Sequence, residues 1–276
     1  MTDRYSSLAL IKEGLRGQTG WVPAWRDAIP APAYDAVIVG GGGHGLATAY
    51  YLAKEHGVRR IAVLERGWVG GGNTGRNTTV IRSNYFYPES AALYDLSVQL
   101  YEGLSRQLNY NLMFSQRGMM VLAHSEIEME LAARNVNAMQ LNGVDAELLS
   151  PGEVQARAPI LNFAPDARFQ IHGAVNQPRA GTARHDAVAW AYARAADRLG
   201  VDIVQGCAVT GFLREAGRIV GLETVHGEIR AERIGLAVAG ASSEFAKMGG
   251  FALPIRCYAL QAFVSEPVKP AMDMVD

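Results

Sequence analysis

Asp35-Ala-Val-Ile-Val-Gly-Gly-Gly-Gly-His-Gly45 is the stretch that decides the fold. An apolar run, Ala36 to Val39, stops abruptly in glycines, and Gly40, Gly42 and Gly45 fit G-x-G-x-x-G. The first glycine permits a tight turn out of a strand, the second lets backbone approach a pyrophosphate, and the third lets the next helix lie close to the strand. Leu46 to Lys54 then reads as helix, with Gly57 as its C-terminal stop. The N–H groups and dipole of that helix face the phosphates in such sites. A second apolar run, Arg60 to Leu64, ends in Glu65, where a strand-end carboxylate accepts hydrogen bonds from a ribose. A glycine loop alone is a weak signal. Strand, glycines, helix, second strand and acid arriving in this order predict a dinucleotide site.

With 276 residues the chain can bury a sizeable core and hold two domains. Its 26 basic and 27 acidic residues leave a net charge of -1, so no large field invites nucleic acid or an anionic membrane. Cys207 and Cys257 form neither a metal nor a redox spacing, and no metal site is expected. Two cysteines in this length point to a reducing compartment. Met1-Thr-Asp-Arg-Tyr5 has no secretory apolar region, and no apolar run reaches about 18 residues. The expectation is a cytoplasmic protein without a membrane span.

Residues 1–33 mix Gly, Arg, Trp and Pro and read as an extended N-terminal arm; Trp21 and Trp25 there hint at an interface. Gly70, Gly71, Gly72, Asn73, Arg76, Asn77, Thr78 and Thr79 follow Glu65 in a loop dense in small residues and donors, suited to wrapping a phosphate or passing under a planar ring. Arg76 offers a charged fork. Val80 to Tyr87 is predicted as a strand, in which Arg82 is either a substrate carboxylate anchor or an ordinary ion-paired arginine. Residues 90–107 are helical in spacing, with Leu93, Leu96, Leu100 and Leu104 as the stripe. Phe114 to Ala123 reads as strand and Glu126 to Leu141 as helix. Ser150, Pro151 and Glu153 form a helix-start signature. This middle region carries no nucleotide signal and reads as a second layer over the cofactor.

The second informative stretch runs over residues 170–199. Thr182 is the expected N-cap of a helix from Ala183 to Leu199, ended by Gly200, with Arg184, His185 and Asp186 in its first turn. The dipole there favours a neutral, nucleophilic imidazole at His185, but a histidine at a helix start is more often a structural hydrogen-bonder. Short strands follow: Val201 to Val204, Ala208 to Leu213, Ile219 to Val225 and Glu228 to Arg230. A buried-type strand from Ala231 then ends in Gly240-Ala-Ser-Ser243, a second glycine turn expected at the carboxyl edge of the same sheet. Tyr258 to Val264 is again strand-like.

This order of segments resembles the D-amino-acid-oxidase-like flavoproteins. The phrases Val37-Ile-Val-Gly-Gly-Gly-Gly-His-Gly-Leu-Ala-Thr-Ala-Tyr-Tyr-Leu-Ala-Lys54, Arg76-Asn-Thr-Thr79, Ile81-Arg-Ser-Asn-Tyr85, Phe114-Ser-Gln-Arg-Gly118, Gln177-Pro-Arg-Ala-Gly181 and His185-Asp-Ala-Val-Ala-Trp190 are similar to those of the beta subunits of heterotetrameric sarcosine oxidases, from about Asp35 onward. The resemblance implies an α/β fold of mixed α+β character. A Rossmann-like FAD-binding domain of the glutathione-reductase/D-amino-acid-oxidase type (34–90 and 175–250) is interrupted by a mixed-sheet substrate or cap domain (91–174 and 251–276, incomplete) behind the 1–33 arm. It implies noncovalent FAD and an FMN held covalently through His185, with His172 a nearby decoy. Sarcosine is oxidised at FAD, electrons pass to FMN, and O2 becomes H2O2. Glycine and methylenetetrahydrofolate, or formaldehyde, result in company with alpha, gamma and delta subunits. By motif, Gly40, Gly42, Gly43, His44 and Gly45 line the FAD pyrophosphate and Glu65 its ribose. Gly71, Gly72, Asn73, Asn77, Thr78 and Thr79 border FAD, Val209 meets the adenine side, and Gly240 closes the second turn. No general base is assigned. Members of the family continue beyond position 276 with a segment that closes the flavin pocket, so a chain ending there is expected to leave FAD open. The alternatives are an FAD-only amine or amino-acid oxidase, a flavin-binding fragment without turnover, and a nicotinamide-dependent dehydrogenase.

Overall fold

The N-terminal segment is not wholly extended: Ser7–Leu15 forms a helix, α1, with no buried residue. Its Leu-Ala-Leu-Ile-Lys-Glu run is made of good helix formers, which outweighs the flanking Gly and Pro. The computed structural model describes residues 7–20 and 22–261, so Trp21 and the last residues of the strand expected over 258–264 lie outside the described residues. Residues 251–261 have no strand. Residues 22–32 are irregular but tied down. The Arg26 Nε donates to Asp197 Oδ1 at 2.7 Å, and Ala28 and Ala31 pack on the core.

Two units make up the chain, one of residues up to Asn77 with His185–Leu260, the other of Thr78–Arg184. The first begins with β1 (Ala33–Val39), α2 (Gly43–His56) and β2 (Ile61–Leu64). β1 and β2 pair in parallel from Ala36↔Ile61 to Val39↔Leu64. The helix starts inside the glycine motif, three residues before Leu46, with Gly42 as N-cap. It ends as expected at Gly57, whose left-handed φ of 64° turns its N–H back to Leu52 O.

The second unit contains β3 (Val80–Ile81), α3 (Pro88–Gln107), β4 (Met119–Ala123), α4 (Glu126–Leu141), β5 (Glu147–Leu149), α5 (Pro151–Arg157), β6 (Gly173–Gln177) and β7 (Gly181–Thr182). β6 lies between β4 and β5 in an antiparallel sheet, and β3 pairs with β7. The expected strand Val80 to Tyr87 is only two residues long, and Phe114 to Ala123 is regular only from Met119. α3 has the expected span but a different inner face. Ala91, Val98 and Leu104 are buried, whereas Leu93, Leu96 and Leu100 are exposed. Ala91 belongs to a buried cluster with Ala132 and Val136 of α4 and Val175 of β6, where a small residue allows close packing. The Ser150/Glu153 signature is a complete capping box at the start of α5.

The chain then returns to the first unit. α6 (His185–Arg198) starts three residues after Thr182, which is the last residue of β7 rather than a cap. β8 (Asp202–Val204), β9 (Val209–Glu215), β10 (Arg218–Thr224), β11 (Gly227–Leu236) and α7 (Ser242–Met248) follow. The sheet order is β8-β2-β1-β11-β10-β9. β8, β2, β1 and β11 run parallel, and β11, β10 and β9 form an antiparallel meander. β11 is one ten-residue strand in place of the two expected pieces. It must serve both halves, pairing with β10 from Thr224↔Gly227 to Gly221↔Arg230 and with β1 from Ala33↔Arg230 to Val39↔Leu236. Its later part is not buried; Ile229 and Ala231 are its buried hydrophobics. One face of this sheet carries the cluster of Val37, Val39, Leu64, Val204, Leu222 and Ile229. Among the described residues no helix is long and apolar enough to cross a membrane, and no His/Cys/Asp/Glu group could hold a metal ion.

Tyr34 gives this unit a pH signature. Its buried hydroxyl accepts the Ala31 N–H at 2.7 Å and donates to Asp202 Oδ2 at 2.9 Å. Burial, helped by the Asp202 carboxylate, pushes its pKa up from 10.0 to about 12. The folded chain therefore keeps a proton that the unfolded chain gives up. This contribution is fully present below pH 10.0 and is lost as pH rises toward about 12. Tyr34→Phe should cost about 1 kcal/mol at neutral pH and flatten the alkaline loss of stability. Urea unfolding on both sides of pH 10 reads this; an unchanged alkaline slope would refute it.

Candidate cofactor site

At Gly40 and Gly45 the bend after β1 is backbone that tolerates no side chain. Gly40 has φ 111° and donates its N–H to Leu64 O at 2.8 Å; a Cβ there would lie 2.4 Å from Ala237 O. A Cβ on Gly45 would lie 1.9 Å from Gly40 O. The third glycine is thus required by the turn itself, which folds the first turn of α2 back over the end of β1. At Gly42 a Cβ would meet the Thr74 hydroxyl at 2.9 Å, the far end of a side chain and not backbone.

Glu65 faces this bend. Its Oε2 accepts the Gly41 N–H and its Oε1 the Gly67 N–H, both at 2.8 Å. Thr74 Oγ1 accepts the Gly43 N–H at 3.0 Å, taking the first exposed donor of α2. Gly70 N–H donates to Gly41 O at 2.9 Å, and the N–H groups of Gly206 and Cys207 donate to Gly67 O and Glu65 O. Three segments, 40–45, 65–75 and 205–207, are therefore knitted together beyond the carboxyl ends of the parallel strands. β11 ends beside them, where Ala237 N–H donates to Val39 O at 2.8 Å. Its following turn carries Gly240, whose carbonyl accepts from the Cys257 Sγ at 3.3 Å. Burial pushes the Cys207 thiol up, which suits a packed rather than reactive sulfur.

Of the residues expected from sequence, Gly40, Gly42, Gly43, His44, Gly45, Glu65, Gly71, Gly72 and Asn73 fall within or next to these segments. The Asn77 amide closes the loop onto Thr74 O at 2.6 Å. Arg76 extends to the exposed side. Val209 opens β9, paired with Thr224, directly after the 205–207 crossing. Thr78 and Thr79 belong to the other unit, where Thr79 O accepts the Ala183 N–H at 3.0 Å. Thr74 is not among the residues that sequence reasoning finds; the one signal for it is a hydroxyl inside the glycine-dense loop after the strand-end acid.

His185 is the first residue of α6, and its Nδ1 is buried without a hydrogen-bond partner among the described residues. α6 packs on α2 through Tyr192, whose ring lies 5.7 Å from Tyr50 and 6.2 Å from Tyr51. His172 differs: its backbone N–H is spent on Ala123 O at 2.8 Å, at the edge of the β4–β6 sheet.

A family model described as FAD dependent oxidoreductase matches residues 35–276, which include every element of the cradle. The chain belongs to that family. Among proteins of this kind, the chain is 55% identical to sarcosine oxidase subunit beta of Rhizobium meliloti (strain 1021), over 99% of its own length and 65% of the relative's. It is 53% identical to sarcosine oxidase subunit beta of Rhodobacter capsulatus, over 99% of its length and 66% of that protein's. The chain thus spans just under two thirds of the length of these relatives. The crystal structure of L-proline dehydrogenase from P. horikoshii superposes with a TM-score of 0.74 at 26% identity, covering 80% of this chain and 57% of that one. The mixed sheet with its antiparallel meander is the FAD-binding fold of D-amino-acid-oxidase-type oxidoreductases. The residues present fit FAD: the glycine bend, the α2 N-terminus and a strand-end carboxylate are where an FAD oxidoreductase needs them.

Proposed function

We propose that the chain is the flavin-bearing part of an oxidase acting on sarcosine, of the kind found in heterotetrameric sarcosine oxidases. The observation that carries this reading is the 55% identity to a sarcosine oxidase beta subunit across 99% of the chain. The Nδ1 of His185, unpartnered among the described residues, supports it, since a buried polar atom without a partner costs free energy unless something bonds to it.

In this reading Gly40, Gly42, Gly43, His44 and Gly45 receive the FAD pyrophosphate on backbone amides. Glu65 turns from the Gly41 and Gly67 N–H groups toward the ribose. Gly71, Gly72, Asn73, Asn77, Thr78 and Thr79 border the flavin side, Val209 the adenine side and Gly240 the second turn. His185 carries FMN covalently. FAD supplies a two-electron acceptor for the N-methyl carbon, and FMN supplies an exit for electrons to O2, which leaves as H2O2. Arg82 is the receptor for the substrate carboxylate: it is half-buried, bonded to Asn84 and stacked on Tyr85 at 4.8 Å. Among the described residues no carboxylate pairs with it. Alpha, gamma and delta subunits complete the assembly, with tetrahydrofolate taking the one-carbon product. The free thiols of Cys207 and Cys257 suit a reducing cytoplasm.

The test uses the natural full-length polypeptide purified with its partner subunits. Sarcosine under air should yield H2O2, acid should release FAD, and a second flavin should stay with the chain. FAD alone with H2O2 would indicate a single-flavin amine oxidase, and a colourless chain would overturn the proposal.

A further inference from the structure

We propose that Gln177 is a positioning residue: its buried amide fixes the backbone at Ser83 and so aims the preceding Arg82 guanidinium at the carboxylate of an amino-acid substrate. This rests on the reading of Arg82 given above. Gln177 is 1% exposed and Ser83 0%. A buried amide is costly unless its atoms are paired, and here each of them is. Gln177 Oε1 accepts the Ser83 N–H at 2.9 Å. Its Nε2 donates to Ser83 Oγ at 2.6 Å and to Asp145 Oδ1 at 3.1 Å. Asp145 Oδ2 in turn accepts the Arg179 N–H at 2.7 Å, so the amide is held from behind.

Strand pairing does not do this work. β3 ends at Ile81, opposite Gly181, and Arg82 is the first residue beyond its ladder. From there the side chain of Gln177 replaces the missing strand partner. Arg82 is then caught between the Asn84 oxygen and the Tyr85 ring, which is itself stacked on Tyr94 at 3.9 Å and 17°. Asn84 uses part of a five-donor fork and leaves the rest to a ligand. A carboxylate is gripped bidentately only when that fork is correctly oriented, so a small backbone error at residue 83 is felt as lost affinity.

The test compares Gln177→Glu, the double variant Gln177→Glu/Asp145→Asn, Ser83→Ala and Arg82→Lys in the natural full-length enzyme. Gln177→Glu sets two carboxylates against each other, and Asp145→Asn restores a donor facing an acceptor. For Gln177→Glu we expect KM for the amino acid and Kd for acetate, by calorimetry, to rise about tenfold, the scale of one misaligned charge-assisted hydrogen bond. We expect kcat, and KM for the amino acid's methyl ester, to change less than about twofold. The double variant should recover acetate affinity. Equal losses for acid and ester, or no recovery in the double variant, would overturn the proposal. Should Gln177→Glu fail to fold, Ser83→Ala must show the same preference for harming the acid, and its failure to do so counts against the proposal. If Arg82→Lys leaves acetate affinity intact, the reading of Arg82 itself fails; if only Arg82→Lys weakens acetate, Gln177 alone loses its role.

Discussion

His185→Ala is expected to yield a polypeptide from which all flavin is released on denaturation, while His172→Ala keeps its attached flavin. The expectation follows from the two environments. His185 opens α6 with a buried Nδ1 that nothing in the described structure satisfies. Leaving such an atom unpaired costs about 1–3 kcal/mol, and a covalent bond to a flavin removes that cost. His172 is held at a strand end by its backbone, which alanine preserves. A second consequence separates this from general damage. Without flavin, His185→Ala should melt close to the parent chain, because the packing lost with a half-buried ring is offset by removal of an unsatisfied polar atom. Flavin fluorescence on a denaturing gel, intact mass and a thermal melt read all of this. Flavin retained in His185→Ala and lost in His172→Ala would transfer the attachment to the wrong histidine for this account.

Gly45→Ala is expected to unfold the first unit's cradle, lowering stability by more than about 3 kcal/mol whether or not FAD is added. Its Cβ would sit 1.9 Å from the Gly40 carbonyl oxygen and 3.4 Å from Ala237 Cβ. Backbone on one side and the end of β11 on the other leave no rotamer to yield. Gly72→Ala makes the contrast. Its Cβ would meet nothing within 4 Å, so the cost is confined to its backbone angles, φ −86° and ψ −140°, and the fold should lose clearly less stability than with Gly45→Ala. Weaker FAD binding by Gly72→Ala, beyond what its loss of stability explains, is expected where Gly72 borders the flavin. Thermal melts with and without FAD, joined to an FAD titration, distinguish the two positions. A Gly45→Ala chain that melts with the parent would show that the bend is not packed in this way.

Features set by neighbours in the chain are legible in the amino-acid order itself. The Gly57 stop and the Ser150/Glu153 capping box each depend on residues within a few positions of one another, and β1, α2 and β2 follow one another directly in the chain. The glycine bend is legible for a related reason, since Gly45 is demanded by the turn that brings it against the Gly40 carbonyl. Sequence patterns mislead where distant segments compete. Leu93, Leu96, Leu100 and Leu104 form a good stripe on α3, yet of that stripe only Leu104 is buried, together with Ala91 and Val98, and Ala91 shares its cluster with residues of α4 and β6. Thr182 has the chemistry of an N-cap, but pairing with Val80 claims it for β7.

From its sequence alone this chain is committed to a strand–glycine–helix cradle with an acid at the next strand end, because sterics and helix dipoles act over single turns. Tertiary structure alone decided that Thr74 meets Gly43, that β11 runs unbroken from the meander into the parallel half of its sheet, and that Gln177 reaches Ser83 across 94 residues. Hydrogen bonds in a buried interior are dictated by which polar groups the packing leaves facing one another, and that is a property of the folded chain and not of any short segment of it.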